Sequence, residues 1–559
     1  MKSNPNPCAS GKSRQLLLGS SFIVIYFLSI LTGCTDQNKT GENKIVIGIQ
    51  ADVQTINPIY AFSLMEGNIV DLLFMKPAKE FWNNNLGKIE FKPMLADKWE
   101  WNKDSTSVTL YLRDDIYWSD GKPITARDII FTFDIYSDPE VNSRFFGLFD
   151  DFFTKENRQI DTAKSFKIIS PTELIINFPK DASPDFLDIN LEILPEHVWS
   201  KYSRGEFAHS EVNFKPVTSG PFKLEQWERE GFISLTRDSS AFLFNPDNLQ
   251  KIIFKIIPDY KTRIIELKTG SIDLLDNIKS EDVSELNEAD DLKIVSLRGR
   301  DYDYIGWNHK DQKQDSPNKF FSSPEIRKAL SHAINRQEMI DSYLGKFGDI
   351  CYGPVSPMFK LYYDEDGKTY YYNPTRSKEI LMENGWIDTD NDGVLEKENL
   401  EFSFDIYLNS GNPRRNYVAQ IVRNNLKAVG IEANIKELET GTFIDGLFNR
   451  EYDSWIAGWT IPVPIDLNPY WSSDPDIGFL NFSTYQGNEK DSILEQLQKN
   501  PPEKEKEKLY KKLQEIFHRD EPVTFLYWFD NIIVYNKRIS KIEFSILGLV
   551  KNASEWSVN

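Results

Sequence analysis

Asp388, Asp390 and Asp392 alternate through Asp388-Thr389-Asp390-Asn391-Asp392-Gly393, so carboxylates fall at positions 1, 3 and 5 and a glycine at position 6. That is the front half of an EF-hand calcium loop. The twelfth position is Asn399, where such a loop needs a bidentate glutamate, and Glu398 stands one residue out of step. Two readings stay open: a structural calcium, or a solvated turn whose aspartates bond their own backbone. No other stretch has the spacing of a reactive centre. There is no His-Glu-x-x-His zinc helix, nucleophile elbow, phosphate-binding glycine loop or Cys/His cluster, and the five histidines are scattered. His518-Arg519-Asp520 has the order of a kinase triplet without any other kinase element. The expectation is a protein that is not an enzyme and has no cofactor besides the calcium just considered.

The 559 residues carry a formal net charge of -20, and 40% are hydrophobic. A single core seldom grows past about 300 residues, so two lobes or more are expected. The acidic balance argues against nucleic acid as a partner, because phosphate binding needs a basic face. Lys2, Lys12 and Arg14 precede the apolar run from Leu16 to Leu31, which is too short for a comfortable membrane span. Residues 1–33 therefore read as a signal peptide. The run ends in Leu31-Thr32-Gly33-Cys34, which resembles the lipobox of bacterial lipoproteins. The resemblance implies cleavage before Cys34, a lipid on its thiol, and a polar tether over residues 34–43. The alternative is an uncleaved signal anchor with an incidental cysteine. Cys8 lies in the leader and Cys351 stands alone, so no internal disulfide is expected.

The elements that would position a site centre on Pro93 to Phe133. Val108, Leu110 and Leu112 alternate with Thr109, Tyr111 and Arg113, the period of a half-buried strand. The polar run Asn102 to Ser107 separates it from a strand holding Trp99 and Trp101, which predicts a hairpin. Thr125, with Asp128 three residues on, predicts an N-cap for a helix carrying Ile129, Ile130 and Phe133. Within this stretch, Leu95-Ala96, Trp99, Leu112-Arg113, Asp120-Gly121, Pro123, Thr125-Ala126 and Asp128 fall in step with the hallmark segment of the bacterial extracellular solute-binding proteins of family 5. That family includes oligopeptide, dipeptide and nickel receptors of ABC importers.

The resemblance continues through nearly all of the chain beyond the leader. Ile193 to Trp199, Thr218 to Phe222, Lys251 to Pro258, Tyr304 to Asn308 and Arg327 to Arg336 each match a family element. Gln54 to Tyr60 resembles a loop that ends at the ligand cleft, which makes Tyr60, Phe62, Ser63 and Glu66 candidates to line it. Phe402 to Leu408, a helix ended by Gly430 and the strand Ile431 to Leu438 form a strand–helix–strand unit. Strand ends in such a unit face the cleft, so Tyr407 and Asn409 are candidates, with Phe443 in the following helix. Tyr452 to Trp459 resembles a motif after which peptide receptors place an aspartate that pairs with the peptide's α-ammonium. Here Gly458-Trp459-Thr460 is followed by Pro462, and the nearest acid is Asp466. Trp459 and Trp471 offer stacking surface, with core packing as the alternative. Asp491 to Phe517 reads as a helical run with a solvated face over an apolar stripe.

The resemblance implies an α/β fold: a two-lobe clamshell of the type II periplasmic-binding kind, in its large family 5 variant, with mixed sheets. The expected lobes are 44–297 plus 520–559, with an extra subdomain over about 70–215, and 298–519. The implied function is a monomeric, lipid-anchored, extracytoplasmic receptor that captures peptides or peptide-like solutes for an ABC permease. The alternatives are another solute, such as an oligosaccharide, a nickel chelate or haem, or a surface interaction or sensory lipoprotein without a permease.

Overall fold

The computed structural model describes residues 43–559 apart from 312, 366, 368 and 369. The signal peptide and the lipidated Cys34 expected from the sequence lie outside the described residues. Among the described residues the backbone of the fold is an eleven-stranded mixed sheet. From one edge it runs Glu432–Leu438, Ser403–Asn409, Ser454–Thr460, Leu292–Trp307, Val523–Asn536, Leu274–Leu275, Lys44–Ile49, Lys251–Ile256, Phe232–Arg237 and Phe222–Glu228, with Gly348–Ile350 alongside Val523–Asn536.

Two long antiparallel strands, Leu292–Trp307 and Val523–Asn536, join the halves of this sheet. Leu292 to Leu297 pair with Asn531 to Asn536, and Asp301 to Gly306 pair with Val523 to Phe529. Residues 298–300 are left over between the two registers and form a bulge. Gly299 in it donates its N–H to Asp530 Oδ1 at 3.1 Å, and a Cβ there would stand 1.6 Å from the Phe529 carbonyl oxygen. Only glycine permits that approach. Apolar residues sort to either side of the bulge. Ile45, Phe254 and Ile533 share one core with Leu110 and Phe133, whereas Trp307, Phe404, Val422 and Leu526 form another. Tyr302, Trp455, Trp471 and Phe517 make a third.

The hallmark segment folds as its pattern predicts. Ala96–Trp101 and Ser107–Leu112 pair as a hairpin within a four-stranded sheet, and the second strand buries alternate residues. Thr125 and Asp128 form a reciprocal capping box on the helix Ala126–Tyr136. Asp128 does more than cap: its second oxygen accepts the Glu196 N–H at 3.0 Å, tying this helix to the Ile193–Trp199 element. Beside the sheet, Ala78–Asn83 and Lys88–Pro93 form a separate hairpin. The single helical run expected over 491–517 is instead two helices, Asn488–Gln498 and Glu503–Asp520. Pro501 and Pro502 lie between them and supply no N–H to continue the first.

One buried charge cluster fixes how the strand Ser454–Thr460 is presented. Asp303 is fully buried and accepts from Arg414 Nε at 2.9 Å, from Arg415 Nη2 at 3.1 Å and from the Tyr527 hydroxyl at 2.9 Å. Both arginines open the helix Pro413–Lys427. Burial by itself would raise the Asp303 pKa, but Arg414 and Arg415 outweigh it and hold the carboxyl below its usual range. Because the folded pKa is depressed, the stabilisation is complete above the unfolded value of about 4 and is lost as pH falls through the folded value. Asp303→Asn, which leaves two guanidinium groups without their counter-charge, is expected to cost about 3–5 kcal/mol at pH 7. Urea midpoints taken down to about pH 3 should show the gap to the unmodified protein narrowing as the wild-type carboxylate is protonated.

Candidate functional site

A cavity of about 720 Å³ lies between the hairpin and its neighbours on one side and residues 359–510 on the other. That volume is in the range of ligand sites. The first wall holds Trp82, Lys88, Glu90, Phe91, Trp99 and the segment Ser183 to Asp188. Phe186 fixes two of these rings, with centroids 4.7 Å from Phe91 and 4.4 Å from Trp99. The hairpin tip carries Gly87 at φ +68, where a Cβ would stand 2.3 Å from the Lys360 nitrogen, so the tip packs directly on the opposite backbone.

The second wall holds Phe359, Tyr362, Val463, Pro464, Ile465, Leu497, Glu503 and Tyr510. Tyr510 donates to the Ile465 carbonyl at 3.0 Å and stacks on Tyr362 at 4.7 Å, and Tyr362 donates to Glu503 at 2.6 Å. The chain reaches this wall from Ser454–Thr460 by way of Ile461, whose carbonyl accepts from Arg300 Nη1 at 3.0 Å. Among the described residues, contacts that bridge the walls besides the Gly87 tip include Trp82 edge-on to Phe359 at 5.7 Å, Lys88 to Glu503 at 3.5 Å, Asn500 Nδ2 to the Ser183 carbonyl at 3.1 Å, and Leu361 N–H to the Leu86 carbonyl at 3.3 Å.

The carboxylates of the first wall are unevenly served. Asp151 accepts the Ser183 N–H at 2.8 Å, Asp185 the Leu187 N–H at 3.1 Å, and Asp188 the Asp185 N–H at 2.6 Å. Burial pushes the Asp188 carboxyl up to about 7, the Asp185 N–H works against that shift, and Asp185 and Asp151 add to it.

The residues singled out from sequence do not converge on one cavity. Phe62 is 74% exposed and lines a separate hollow of about 370 Å³ with Ser63 and Arg144. Tyr60 is half-buried and donates to the Val141 carbonyl at 3.2 Å. Ser63 caps the helix Leu64–Leu73, and Glu66 is 4% exposed and accepts N–H groups from Gln54, Thr55 and Ser63. Glu66 therefore holds the 54–63 loop in shape and has no face left for a solute. Phe443 and Trp471, both 3% exposed, are core rings: Phe443 stacks on Tyr452, and Trp471 packs edge-on to Phe517 at 4.6 Å. An aromatic beside a family motif suited either role, and packing claimed these two. Tyr407 stacks on the other side of that pairing, 4.2 Å from Tyr452, and Asn409 Oδ1 accepts from Arg415 at 2.9 Å.

Gly458 is explained by what crosses it. A Cβ would stand 2.4 Å from Asp303 Oδ1 and 2.7 Å from Arg415 Nη2, so the strand needs glycine to accommodate the buried ion cluster. Trp459 is half-buried between Tyr304, Tyr470 and Phe482. Thr460 is exposed and its hydroxyl donates to Asp301. Asp466 is exposed next to the cavity residue Ile465, and its Oδ1 accepts both the backbone and side-chain N–H groups of Asn468 at 3.0 Å. Asp388, Asp390 and Asp392 gather with Glu396, one ligand atom from each lying within 4.8 Å of the others. Their oxygens already accept the N–H groups of Thr389, Asn391, Asp392, Gly393 and Val394.

The lining residues Trp82, Asp185, Asp188, Phe359, Tyr362 and Tyr510 had not been singled out. They are brought together from positions hundreds of residues apart, and no local period marks them. The available signal was indirect: Asn83-Asn84-Asn85-Leu86-Gly87 reads as a turn, which places Trp82 at a hairpin end.

A family model described as bacterial extracellular solute-binding proteins, family 5 Middle, matches residues 90–477. The oligopeptide-binding protein AppA of Bacillus subtilis (strain 168) is 26% identical over 562 residues, 98% of each chain. The structure of AppA from Bacillus subtilis in complex with a nonapeptide aligns with TM-score 0.69 at 24% identity, covering 92% of this chain and 99% of that one. NikZ from Campylobacter jejuni in complex with Ni(L-His) aligns with TM-score 0.71 at 23% identity, covering 92% and 100%. These relatives are solute-binding proteins, not enzymes. The match runs from Glu90 on one wall of the cavity past Ile465 on the other, and the chain belongs to the bacterial extracellular solute-binding proteins of family 5.

Proposed function

We propose that the protein is the lipid-anchored substrate-binding component of an ABC importer, capturing peptides or peptide-like solutes outside the cytoplasm and passing them to a permease as a monomer. The observation that carries this reading is the likeness to an oligopeptide-binding protein along 98% of both chains. The cavity supports it: two walls from sequence-distant segments, aromatic surface for side chains, and few direct bridges between the walls. In this reading residues 44–297 with 520–559 and residues 298–519 move as two lobes about the paired long strands. A ligand touching both walls stabilises the closed form by its differential contacts. A carrier of this kind makes and breaks no covalent bond.

No helix among the described residues is long and apolar enough to cross a membrane. The anchor proposed here is Cys34, the first residue after the signal peptide. Metabolic labelling with palmitate is expected to mark the wild-type protein and not Cys34→Ser, which should move from the membrane to the soluble fraction. Label retained by the variant would exclude this anchor.

Native mass spectrometry of protein purified from cells in rich medium tests the cargo. The expected result is a spread of added masses, released on denaturation and sequencing as peptides. A single discrete non-peptide mass would assign the cavity to another solute.

A further inference from the structure

We propose that the cavity between Trp82 and Tyr362 takes a positively charged group of the ligand, an α-ammonium or a basic side chain, on the carboxylates Glu90, Asp151, Asp185 and Asp188. This rests on the peptide reading above and adds to it the charge of the recognised group.

The first observation is the cavity itself, about 720 Å³ lined by residues from both walls. Six aromatic residues, Trp82, Phe91, Trp99, Phe359, Tyr362 and Tyr510, are among those that line it. Ring faces attract cations, most strongly where water is displaced. The second observation is the charge balance of the lining. Five carboxylates and two lysines face the space. One of those lysines, Lys88, is already met by Glu503 at 3.5 Å. Among the described residues, the remaining four carboxylates form no ion pair with a lysine or arginine. Glu90 accepts only from the Asn83 side-chain amide, at 2.8 Å. The other three accept backbone N–H groups, which fix their direction without neutralising them.

Two of the chain's most deeply buried acids are paired with cations. Asp303 has two arginines, and Glu192 has Arg144 at 2.8 Å and Lys76 at 3.5 Å. Glu66 and Asp128 are also buried without a cation but stand singly in caps, whereas the cavity gathers four acids along one wall. The elevated Asp188 pKa has the same origin, since no cation of the protein offsets its burial and its two acidic neighbours. The recognition loop fits the inference as well. Gly458-Trp459-Thr460 leads into Ile461, Pro462, Val463 and Pro464, so the second wall contributes apolar surface at this point and the charge stands on the first wall.

The test is calorimetric titration of the full-length protein with four synthetic pentapeptides: alanine with a central lysine, the same with norleucine for lysine, and the N-acetylated form of each. On the unmodified protein, at least one removal of charge is expected to weaken binding about tenfold. A loss on acetylation assigns the α-ammonium, and a loss on the lysine-to-norleucine change assigns the side chain. Asp151→Asn/Asp188→Asn should erase that difference between charged and uncharged peptides. Glu90→Gln repeats the comparison without touching a carboxylate that caps backbone, so a folding defect in the double variant does not decide the matter; it should shrink the difference at least about twofold. Equal affinity for all four peptides, or a difference untouched in correctly folded variants, would overturn the charge assignment and leave peptide binding intact. Failure to bind any of the four would overturn both.

Discussion

The carboxylate of Asp303, without solvent and held by Arg414, Arg415 and Tyr527, is the interaction on which the presentation of the site depends. A buried ion pair is seldom a large source of net stability, because desolvation consumes most of the attraction. Its effect here is positional. It joins the start of the helix Pro413–Lys427 to both long strands, at the place where the sheet passes from one half to the other. Arg415 reaches Asp303 only by crossing Gly458, which excludes every side chain larger than hydrogen at that position. The strand leaving Gly458 then delivers Ile461 and the proline-containing loop to the cavity wall. One charge cluster thus sets a glycine, a strand direction and the point where residues 461–465 reach the cavity wall.

The long strands solve a second problem. In the proposed two-lobe reading, the halves of the sheet need a connection that would keep its backbone hydrogen bonds paired as the lobes move. The bulge at 298–300 gives the pair a place to bend, and Asp530 satisfies the Gly299 N–H that the ladder leaves over. Ser356 donates to the Gly299 carbonyl at 2.8 Å, so both polar groups of that residue are met.

Much of this was legible from the amino-acid order. The capping pair Thr125 and Asp128 and the alternation Val108-Leu110-Leu112 are local signals, because a cap or a strand face is decided within a few residues. Gly458 was found through its motif, but its cause, the Arg415 crossing, is a tertiary contact. Phe443, Trp471 and Glu66 are ligand candidates by sequence because they neighbour recognisable loops, with core packing the alternative for Trp471, and all three are buried. Residue type and position do not say which face of a helix is turned inward, nor that three backbone N–H groups will claim one carboxylate. The aromatic and acidic walls were illegible for a further reason. Trp82 meets Phe359, and Asn500 meets Ser183, across separations that only the folded chain closes.

The bridges between the walls are weak enough for a ligand to decide the balance. Lys88 and Glu503 are a partly exposed pair, worth about 0–1 kcal/mol, and each neutral hydrogen bond adds about 0.5–1.5 kcal/mol. Closing the cavity empty brings aromatic surface together but also draws Asp151, Asp185 and Asp188 further from water without a counter-ion. That electrostatic cost opposes closure, and the gain from apolar contact favours it. A ligand that fills the aromatic space and carries a positive charge reverses the first term while adding to the second. Under the proposed reading, recognition and closure would be one event: the group that satisfies the acids would also remove the penalty for bringing the walls together.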